Sequence, residues 1–252
     1  MKAKKSLGQH FLKNENIAKT IVDALDYRNK EGKVDCLEIG PGTGVLTKYL
    51  LNIEELNLKV VELDNEAIDV LNSQFQNLLI INKDILRVDF KEHFNKPMIV
   101  IGNIPYNITG PIFFKILENK EIIEQVVFMI QKEVADRILS KEGSKVYGIL
   151  SVLLQCFFDI EHIVDVKPQD FLPPPKVESS VIKLNKKAQQ PDIDNFNLFK
   201  NIVKAAFNQR RKTLKNALSL YDINKIPSEY HTKRAEQLSI NDFLRLYKSL
   251  QT

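Results

Sequence analysis

Short apolar runs and amphipathic stretches alternate along the first 185 residues of the chain. Five apolar runs have the length of buried strands, and between them apolar residues recur at helical spacing. These runs are residues 34–39, 58–63, 78–84, 98–103 and 125–130. Strands that are separated by helices pair in parallel through right-handed crossovers. The pattern therefore predicts an α/β fold with a doubly wound, Rossmann-like sheet.

A closing hairpin is predicted after the fifth run. The segments IVDVKP (163–168) and SSVIKL (179–184) both have strand character, and DFLPPPKVE lies between them. A connection of about ten residues is too short for a helical crossover. We therefore expect an antiparallel pair that completes the sheet.

A polar stretch at 186–194 separates this part from a helical remainder. Apolar residues recur at helical spacing through 196–221, which predicts one long amphipathic helix. Ser239 is placed to cap the last helix. We predict a large α/β domain over residues 1–185 and a small all-helical domain over 186–252.

Composition restricts the class of protein. The chain has 252 residues and 44% hydrophobic content, enough to bury a substantial core. The sequence lacks any apolar run near the ~18 residues of a membrane span, and its basic start lacks the apolar region of a signal peptide. Cys36 and Cys156 have no metal-binding spacing and suggest reduced core residues. We expect a cytoplasmic protein without a metal or a membrane anchor.

Charge is concentrated at the two ends. Residues 1–14 contain Lys2, Lys4, Lys5 and Lys13 with no acid, and residues 185–252 contain 13 basic against 6 acidic residues, a net of +7. Basic ends around an acidic middle suggest a polyanionic partner. A solvated surface with chance asymmetry explains the same distribution equally well.

A glycine-rich turn follows the first strand in CLEIGPGTGVLT (36–47). A dinucleotide fingerprint, GxGxxG, would require glycine where the chain has Val45. The pattern instead combines an acid, Glu38, with Gly40, Gly42 and Gly44. A carboxylate would repel a pyrophosphate but tolerates the cationic sulfonium and ammonium of S-adenosylmethionine. The turn therefore favours that cofactor over a nicotinamide dinucleotide.

Acids at the ends of the next two strands support a nucleoside-type ligand. Glu62 ends the second strand in VVELD, about 20 residues after the glycines, where an acid accepts hydrogen bonds from ribose hydroxyls. Asp84 ends the third strand and is placed to accept from the adenine amine. Each acid alone is equally consistent with a solvated carboxylate, but all three at successive strand ends favour a binding site.

The fourth strand ends in the unusual sequence NIPY, residues 103–106. An exocyclic adenine amine is a poor nucleophile because its lone pair is delocalised. The Asn103 side-chain oxygen and the Ile104 carbonyl could each accept one of its hydrogens and direct the lone pair at a methyl carbon. Pro105 stiffens the turn, and Tyr106 offers a ring on which a flipped base can stack. A plain strand–turn junction is the simpler alternative.

These motifs together resemble the KsgA/RsmA family of small-subunit rRNA adenine dimethyltransferases, relatives of the Erm methylases and mitochondrial transcription factor B. The resemblance covers nearly the whole chain. The matching segments are KKSLGQHFL, LEIGPGTGVLT, VVELD, NIPYNI, FMIQKEVADRI, SKVYGILSVLLQ, FLPPPKVESSVI and AFNQRRKTLKNAL. It implies a class I S-adenosylmethionine-dependent methyltransferase sheet over 1–185 and a helical RNA-binding domain over 186–252.

The resemblance also implies site residues. The family's cofactor contacts fall on His10, Leu12, Gly40, Glu62, Asp84 and Asn103. Many members have asparagine where this chain has His10. Phe171 resembles the aromatic that covers the target base opposite Tyr106, although a core phenylalanine is the competing interpretation. The implied reaction is dimethylation of the N6 amines of two adjacent adenines in the 3′-terminal hairpin of small-subunit rRNA.

A basic stripe on the predicted long helix suits an RNA partner. Lys204, Arg211 and Lys215 recur at spacings of seven and four, flanked by Arg210 and Lys212. Such a stripe can follow RNA phosphates but does not specify a sequence. A solvated helix face is the alternative.

Three other functions remain open at this point. They are an Erm-type methylase of large-subunit rRNA, a DNA adenine methyltransferase, and an assembly checkpoint that binds immature small subunits with catalysis secondary. FLPPPKVESSVI and FNQRRKT favour the small-subunit enzyme, and no DNA partner is expected. We assume a monomer.

Overall fold

The computed structural model describes residues 3–4, 7–27, 32–94 and 97–251. The chain forms two compact units: Met1–Ala135 with Ile160–Lys186, and Asp136–Asp159 with Lys187–Thr252. The second unit therefore contains residues 136–159, which the sequence pattern assigned to the α/β domain. Its second part begins at Lys187, beside the expected boundary. Lys2 and Lys5, counted above in the basic start, lie outside the described residues.

One mixed sheet contains seven strands of the described residues, which are β2 (Val34–Ile39), β3 (Leu56–Glu62), β4 (Leu79–Asn82), β5 (Met98–Asn103), β6 (Ile123–Gln131), β7 (Phe158–Val166) and β9 (Ser179–Lys186). Their order across the sheet is β4-β3-β2-β5-β6-β9-β7. The first five pair in parallel, and β9 pairs antiparallel with β6. This confirms the predicted α/β class and its Rossmann-like sheet.

The central strands are apolar over nearly their whole length because both of their faces are covered. In β5, Met98 to Ile101 are all inaccessible to solvent, and β2 alternates little between buried and exposed positions. The edge strand β4 is exposed or half-buried throughout. Because β3, β2 and β5 pair in parallel, their carboxyl ends lie side by side at the same end of the strands.

Ten α-helices connect and follow the strands within the described residues. They are α1 (Glu15–Asp23), α2 (Thr47–Leu50), α3 (Asn65–Gln74), α4 (Phe90–His93), α5 (Thr109–Glu118), α6 (Lys132–Leu139), α7 (Ile149–Phe157), α8 (Phe196–Asn208), α9 (Leu214–Ala217) and α10 (Ile240–Gln251). None of the helices in the described part of the chain is both long and apolar enough to cross a membrane.

A second, two-stranded sheet joins distant parts of the sequence. Strand β1 (Phe11–Leu12) pairs antiparallel with β8 (Phe171–Leu172). The pairing ties the amino-terminal segment to the FLPPP segment, a connection that two-residue strands do not signal in the sequence.

The helical unit packs α7, α8 and α10 around aromatic side chains. Phe157 lies edge-on to Phe196, with ring centroids 5.6 Å apart, and Phe199 lies edge-on to Tyr247 at 5.8 Å. Ser239 caps α10 as expected, since its hydroxyl accepts from the Asp242 backbone N–H at 3.2 Å.

The single long helix predicted over 196–221 was wrong. Helix α8 ends at Asn208, residues 209–212 form a turn, and α9 begins at Leu214. The intervening NQRRKT contains no apolar side chain to bury, so packing does not sustain a helix there. Leu214 is then fully buried, and its backbone N–H donates to the Lys233 carbonyl at 2.7 Å.

Candidate active site

A cleft opens where β2, β3 and β5 reach their carboxyl ends. A cleft at the point where parallel strands end is the usual ligand site of α/β sheets. The predicted residues that line it are His10, Leu12, Glu38, Gly40, Gly42, Glu62, Asp84, Asn103, Ile104, Pro105 and Tyr106. The structure thus brings most of the predicted cofactor and catalytic residues together.

The glycine turn after β2 adopts a backbone that favours glycine. Gly40 and Gly42 have φ angles of 64° and 55°, in the left-handed region. A Cβ on Gly42 would lie 2.9 Å from the Phe11 ring, so β1 passes directly over the turn. The turn therefore exposes its backbone to the cleft on one side and contacts the amino-terminal segment on another.

Gly44, predicted to bind cofactor, does not line the cleft. Its φ is 82°, and a Cβ there would lie 2.5 Å from Cε2 of Phe75. The structure accounts for this glycine by close packing against α3 and its end, a tertiary contact that the spacing of the motif does not reveal.

Glu38 is a buried carboxyl group at the end of β2. It is 1% exposed, and the Thr47 hydroxyl donates to its Oε2 at 2.7 Å. Burial raises the pKa of Glu38 to about 8, and the neighbouring Glu62 adds to the rise. A cation bound in the cleft would favour the ionised form, so the group suits the sulfonium ligand predicted from the sequence.

The Glu38 carboxyl group should make folding stability depend on pH. Because its pKa is raised from 4.5 to about 8, the folded chain retains a proton that the unfolded chain has released. This stabilising contribution is complete below pH 4.5 and is lost as the pH rises through 8. The wild type should therefore lose about 3 to 4 kcal/mol of free energy of unfolding between pH 5 and pH 8 that Glu38→Gln does not lose. Urea unfolding at both pH values measures it, and parallel stability curves would contradict it.

Glu62 is fixed at the end of β3 by three backbone donors. Oε2 accepts from the Gly42 N–H at 3.2 Å, and Oε1 accepts from the N–H groups of Leu63 and Asp64, both at 2.9 Å. Burial raises the pKa of Glu62 despite these bonds. A carboxylate has about four acceptor positions. Oε2 therefore keeps one for a ligand hydroxyl, which fits the ribose contact predicted for this residue.

Asp84 follows β4 and lines the cleft from its far side. Its Oδ1 accepts from the Leu86 backbone N–H at 3.0 Å, so the side chain caps the short 3₁₀ turn Ile85–Arg87. This cap uses one carboxylate oxygen, and no described residue donates to the other, which fits the adenine contact predicted from the sequence.

Asn103 ends β5 with its amide orientation set by the amino-terminal segment. Its Nδ2 donates to the His10 carbonyl at 2.9 Å, which assigns Oδ1 as the remaining acceptor. The Ile104 N–H donates to the Met129 carbonyl at 3.0 Å. The Pro105 carbonyl accepts from Ile108 and Thr109, whereas the described residues provide no donor to the Ile104 carbonyl. The two acceptors predicted from NIPY thus receive no hydrogen bond from the residues that the structure describes.

Tyr106 has both its hydroxyl group and its ring held in place. The hydroxyl lies 2.7 Å from Oγ of Ser179, a fully buried residue of β9. Burial raises the pKa of Tyr106. Its ring stacks on the His10 imidazole, with centroids 5.7 Å apart and planes inclined at 26°. A fixed ring at the mouth of the cleft is suited to stack on a base.

Phe171 lies outside the cleft lining, contrary to its predicted place over a target base. It is 1% exposed and belongs to the buried cluster that contains Leu12, Val166 and Val181. Pairing of β8 with β1 places Phe171 opposite Leu12. The structure therefore matches the alternative, a core phenylalanine, because burying the ring under the amino-terminal segment removes it from solvent.

The sequence did not lead us to predict the contacts that hold the amino-terminal segment in place. Asp64 is 4% exposed and accepts from Lys4 Nζ at 2.7 Å and from Gln9 Nε2 at 2.9 Å. Lys4 also pairs with Glu66 at 2.9 Å. Lys4 is thus paired with two carboxylates of its own chain, although its side chain stays 36% exposed. The D that follows VVEL was the available signal, but its partners lie 55 and 60 residues away.

The predicted RNA-binding residues lie in the helical unit but do not share one helix face. Lys204 is half-buried on α8, Arg211 and Lys212 are exposed in the turn, and Lys215 is exposed on α9. Arg210 is engaged internally, with its guanidinium 3.5 Å from the Ser144 carbonyl and 3.9 Å from the Glu236 carboxylate. The stripe expected from spacing was wrong, because the helix on which the spacing depends ends at Asn208.

Comparisons with known proteins agree with the family resemblance deduced from the motifs. The whole chain, residues 1–252, matches the family model described as ribosomal RNA adenine dimethylase. It is 47% identical to ribosomal RNA small subunit methyltransferase A of Cytophaga hutchinsonii, covering 99% of this chain and 98% of that protein. The counterpart in Flavobacterium johnsoniae is 45% identical and covers 100% and 97% of the two chains.

Solved structures share the fold. A dimethyladenosine transferase from Plasmodium falciparum superposes with a TM-score of 0.78 at 28% identity, covering 94% of this chain and 96% of that one. The 23S rRNA methyltransferase ErmE superposes with a TM-score of 0.67 at 23% identity, covering 96% and 100%. The second likeness concerns the fold alone. The resemblance deduced from the motifs is confirmed.

Proposed function

The chain belongs to the ribosomal RNA adenine dimethylase family, and on that premise we propose that it dimethylates the N6 amines of two adjacent adenines in small-subunit rRNA. The observation that carries this proposal is the open acceptor pair of Asn103 Oδ1 and the Ile104 carbonyl beside the glycine turn. The relatives above are named as small-subunit enzymes, which favours that substrate over the large subunit.

We infer that S-adenosylmethionine binds along the ends of β2, β3 and β4. When bound, it supplies an electrophilic methyl group on a sulfonium sulfur. The turn at Gly40 and Gly42 would contact its polar end, and the free acceptor position of Glu62 would receive a ribose hydroxyl. Asp84 would accept from the adenine amine of the cofactor, and Glu38 would balance positive charge.

The chain's own contribution to transfer is positioning. Asn103 Oδ1 and the Ile104 carbonyl each accept one hydrogen of the target amine and turn its lone pair toward the methyl group. Tyr106 holds the extruded base by stacking. The amine proton is released to solvent after transfer, so no strong general base is required. A second methylation requires that the same pocket accommodate a monomethylated amine.

The target that we propose is the 3′-terminal hairpin of small-subunit rRNA within an immature subunit. Support comes from the family and from the names of the bacterial relatives. Since bacterial small subunits are assembled in the cytoplasm, the same proposal places the enzyme there. We propose separately that it acts as a monomer.

We propose that Arg211, Lys212 and Lys215 contact RNA phosphates, with Lys204 and Arg210 beside them. Arg211, Lys212 and Lys215 are exposed, and the described residues provide no ion pair to any of the three. Replacing Arg211 and Lys215 together by alanine should weaken RNA binding and reduce the slope of log affinity against log salt by about 1 to 2. Binding of a small-subunit rRNA hairpin from 50 to 300 mM salt measures this slope.

The control is Lys19→Ala with Lys91→Ala, which removes two exposed lysines from the α/β unit. That variant should retain the wild-type salt slope. An unchanged slope in the Arg211 and Lys215 variant would reject the phosphate assignment.

Methyl transfer from labelled S-adenosylmethionine tests the function directly. Small subunits that lack the modification, large subunits and duplex DNA are offered in parallel, and the products are mapped. Dimethyladenosine at two adjacent small-subunit positions is the expected result. Label in the large subunit would indicate an Erm-type enzyme, and label in DNA a DNA methyltransferase. An absence of label with cofactor binding intact would indicate an assembly factor.

A further inference from the structure

His10 contacts two segments that line the cleft and a third, after β8, that lies beside the amino-terminal segment. Its backbone carbonyl accepts from Asn103 Nδ2 at 2.9 Å. Its ring stacks on Tyr106, with centroids 5.7 Å apart. Its Nδ1 lies 2.8 Å from the carbonyl oxygen of Pro173, in the FLPPP segment. One residue of the amino-terminal segment therefore links β5, the NIPY turn and the segment after β8.

The contact with Pro173 determines how the imidazole is held. A carbonyl oxygen can only accept, so His10 Nδ1 must carry the proton. Both the neutral ring, as this tautomer, and the protonated ring satisfy that requirement. The bond fixes the plane of the ring that lies against Tyr106.

The stack on Tyr106 completes the support of that side chain. The Ser179 hydroxyl, fully buried, holds the phenol oxygen at 2.7 Å, and the His10 ring covers one face. A ring held at its hydroxyl and on one face presents its other face in a single orientation. Binding of a base then costs less free energy, because the Tyr106 ring on which it stacks is already ordered.

We propose that His10 is a positioning residue for the target adenine, with its imidazole bracing Tyr106 as the stacking platform and its carbonyl orienting Asn103. The inference rests on the proposed function, since it assigns a residue to the base pocket of the same reaction. It differs from the cofactor contact that the family resemblance implied for His10, because its side chain meets Tyr106 and Pro173.

Two substitutions separate the parts of the His10 side chain. Asparagine keeps an N–H donor near the position of Nδ1 but removes the ring, and phenylalanine keeps a ring but removes the donor. Both keep the backbone carbonyl that orients Asn103. We expect His10→Asn to lower kcat/KM for small subunits about tenfold, the range of one aromatic pair, while His10→Phe stays within about twofold of wild type. The dissociation constant for S-adenosylmethionine should remain unchanged in both.

A double-mutant cycle with Tyr106→Ala provides the decisive readout. If His10 acts through Tyr106, His10→Asn should cause no further loss in the Tyr106→Ala background. An equal loss in both backgrounds would overturn the proposal, as would a weaker cofactor affinity that accounts for the loss in activity. A gain in activity for His10→Asn would also overturn it, because the ring would then be blocking the base. Wild-type enzyme that yields no dimethyladenosine would instead reject the proposed function.

Discussion

Asn103→Ala should lower the rate of methyl transfer from bound cofactor about 1000-fold while the fold persists. The substitution removes one of the two acceptors proposed for the target amine, an interaction that acts only on the reacting group. It also removes the donor to the His10 carbonyl, so that carbonyl loses its partner. Loss of one such group in a preorganised site costs about 10²- to 10³-fold, or about 3 to 4 kcal/mol. Single-turnover transfer to small subunits measures the chemical step.

Two further variants define the origin of that loss. Asn103→Asp keeps acceptor oxygens but loses the donor to His10, so its rate should fall between those of wild type and Asn103→Ala. Asn57→Ala removes an exposed amide that donates a hydrogen bond to the Asp35 carboxylate. Asn57 lies near the start of β3, at the end of the strands opposite to the cleft. It should leave the rate unchanged. A rate within tenfold of wild type for Asn103→Ala would reject the catalytic role.

Glu62→Ala should weaken binding of S-adenosylmethionine about 100-fold. The carboxylate is the acceptor proposed for the ribose, and it also receives the backbone N–H groups of Gly42, Leu63 and Asp64. Its removal therefore loses a ligand contact and leaves the Gly42 N–H without its acceptor, although the Gly40 N–H still donates to the Val61 carbonyl of β3. The free energy of unfolding should fall by about 2 kcal/mol for the donors left without a partner. Calorimetric titration with the cofactor and urea unfolding measure the two effects.

Glu54→Ala is the matched control, because Glu54 is an exposed acid just before β3. That variant should bind cofactor as wild type does and lose less than about 0.5 kcal/mol of stability. Unchanged affinity in Glu62→Ala would show that the ribose contact lies elsewhere in the cleft, whatever the change in stability.

The parallel sheet and most of the cleft were predictable because both depend on patterns within short segments of the sequence. The central strands β2 and β5 are short apolar runs with both faces buried, and functional residues lie at or near the ends of β2, β3 and β5, as Glu38, Glu62 and Asn103 do. Since parallel strands end at one edge, their order in the sequence is sufficient to predict that these side chains meet.

The features that were missed depend on contacts between distant residues. Gly44 faces Phe75, and Phe171 faces Leu12, so neither motif reveals by itself whether its residue meets ligand or core. The helical spacing of apolar residues likewise continues across NQRRKT, although helix α8 ends at Asn208. Helical spacing shows where apolar residues could align, but it does not show that a polar segment between them has anything to pack against.

The pairing of Phe11–Leu12 with Phe171–Leu172 has a consequence for the order of biosynthesis. These partners are separated by about 160 residues, so the earlier strand leaves the ribosome long before its mate exists. Until residue 172 has been made, the nascent chain cannot complete the ladder beside its own cleft. The segment at Phe11–Leu12 is thus fixed only after residue 172 has been made, so the cleft that it borders is completed late in synthesis.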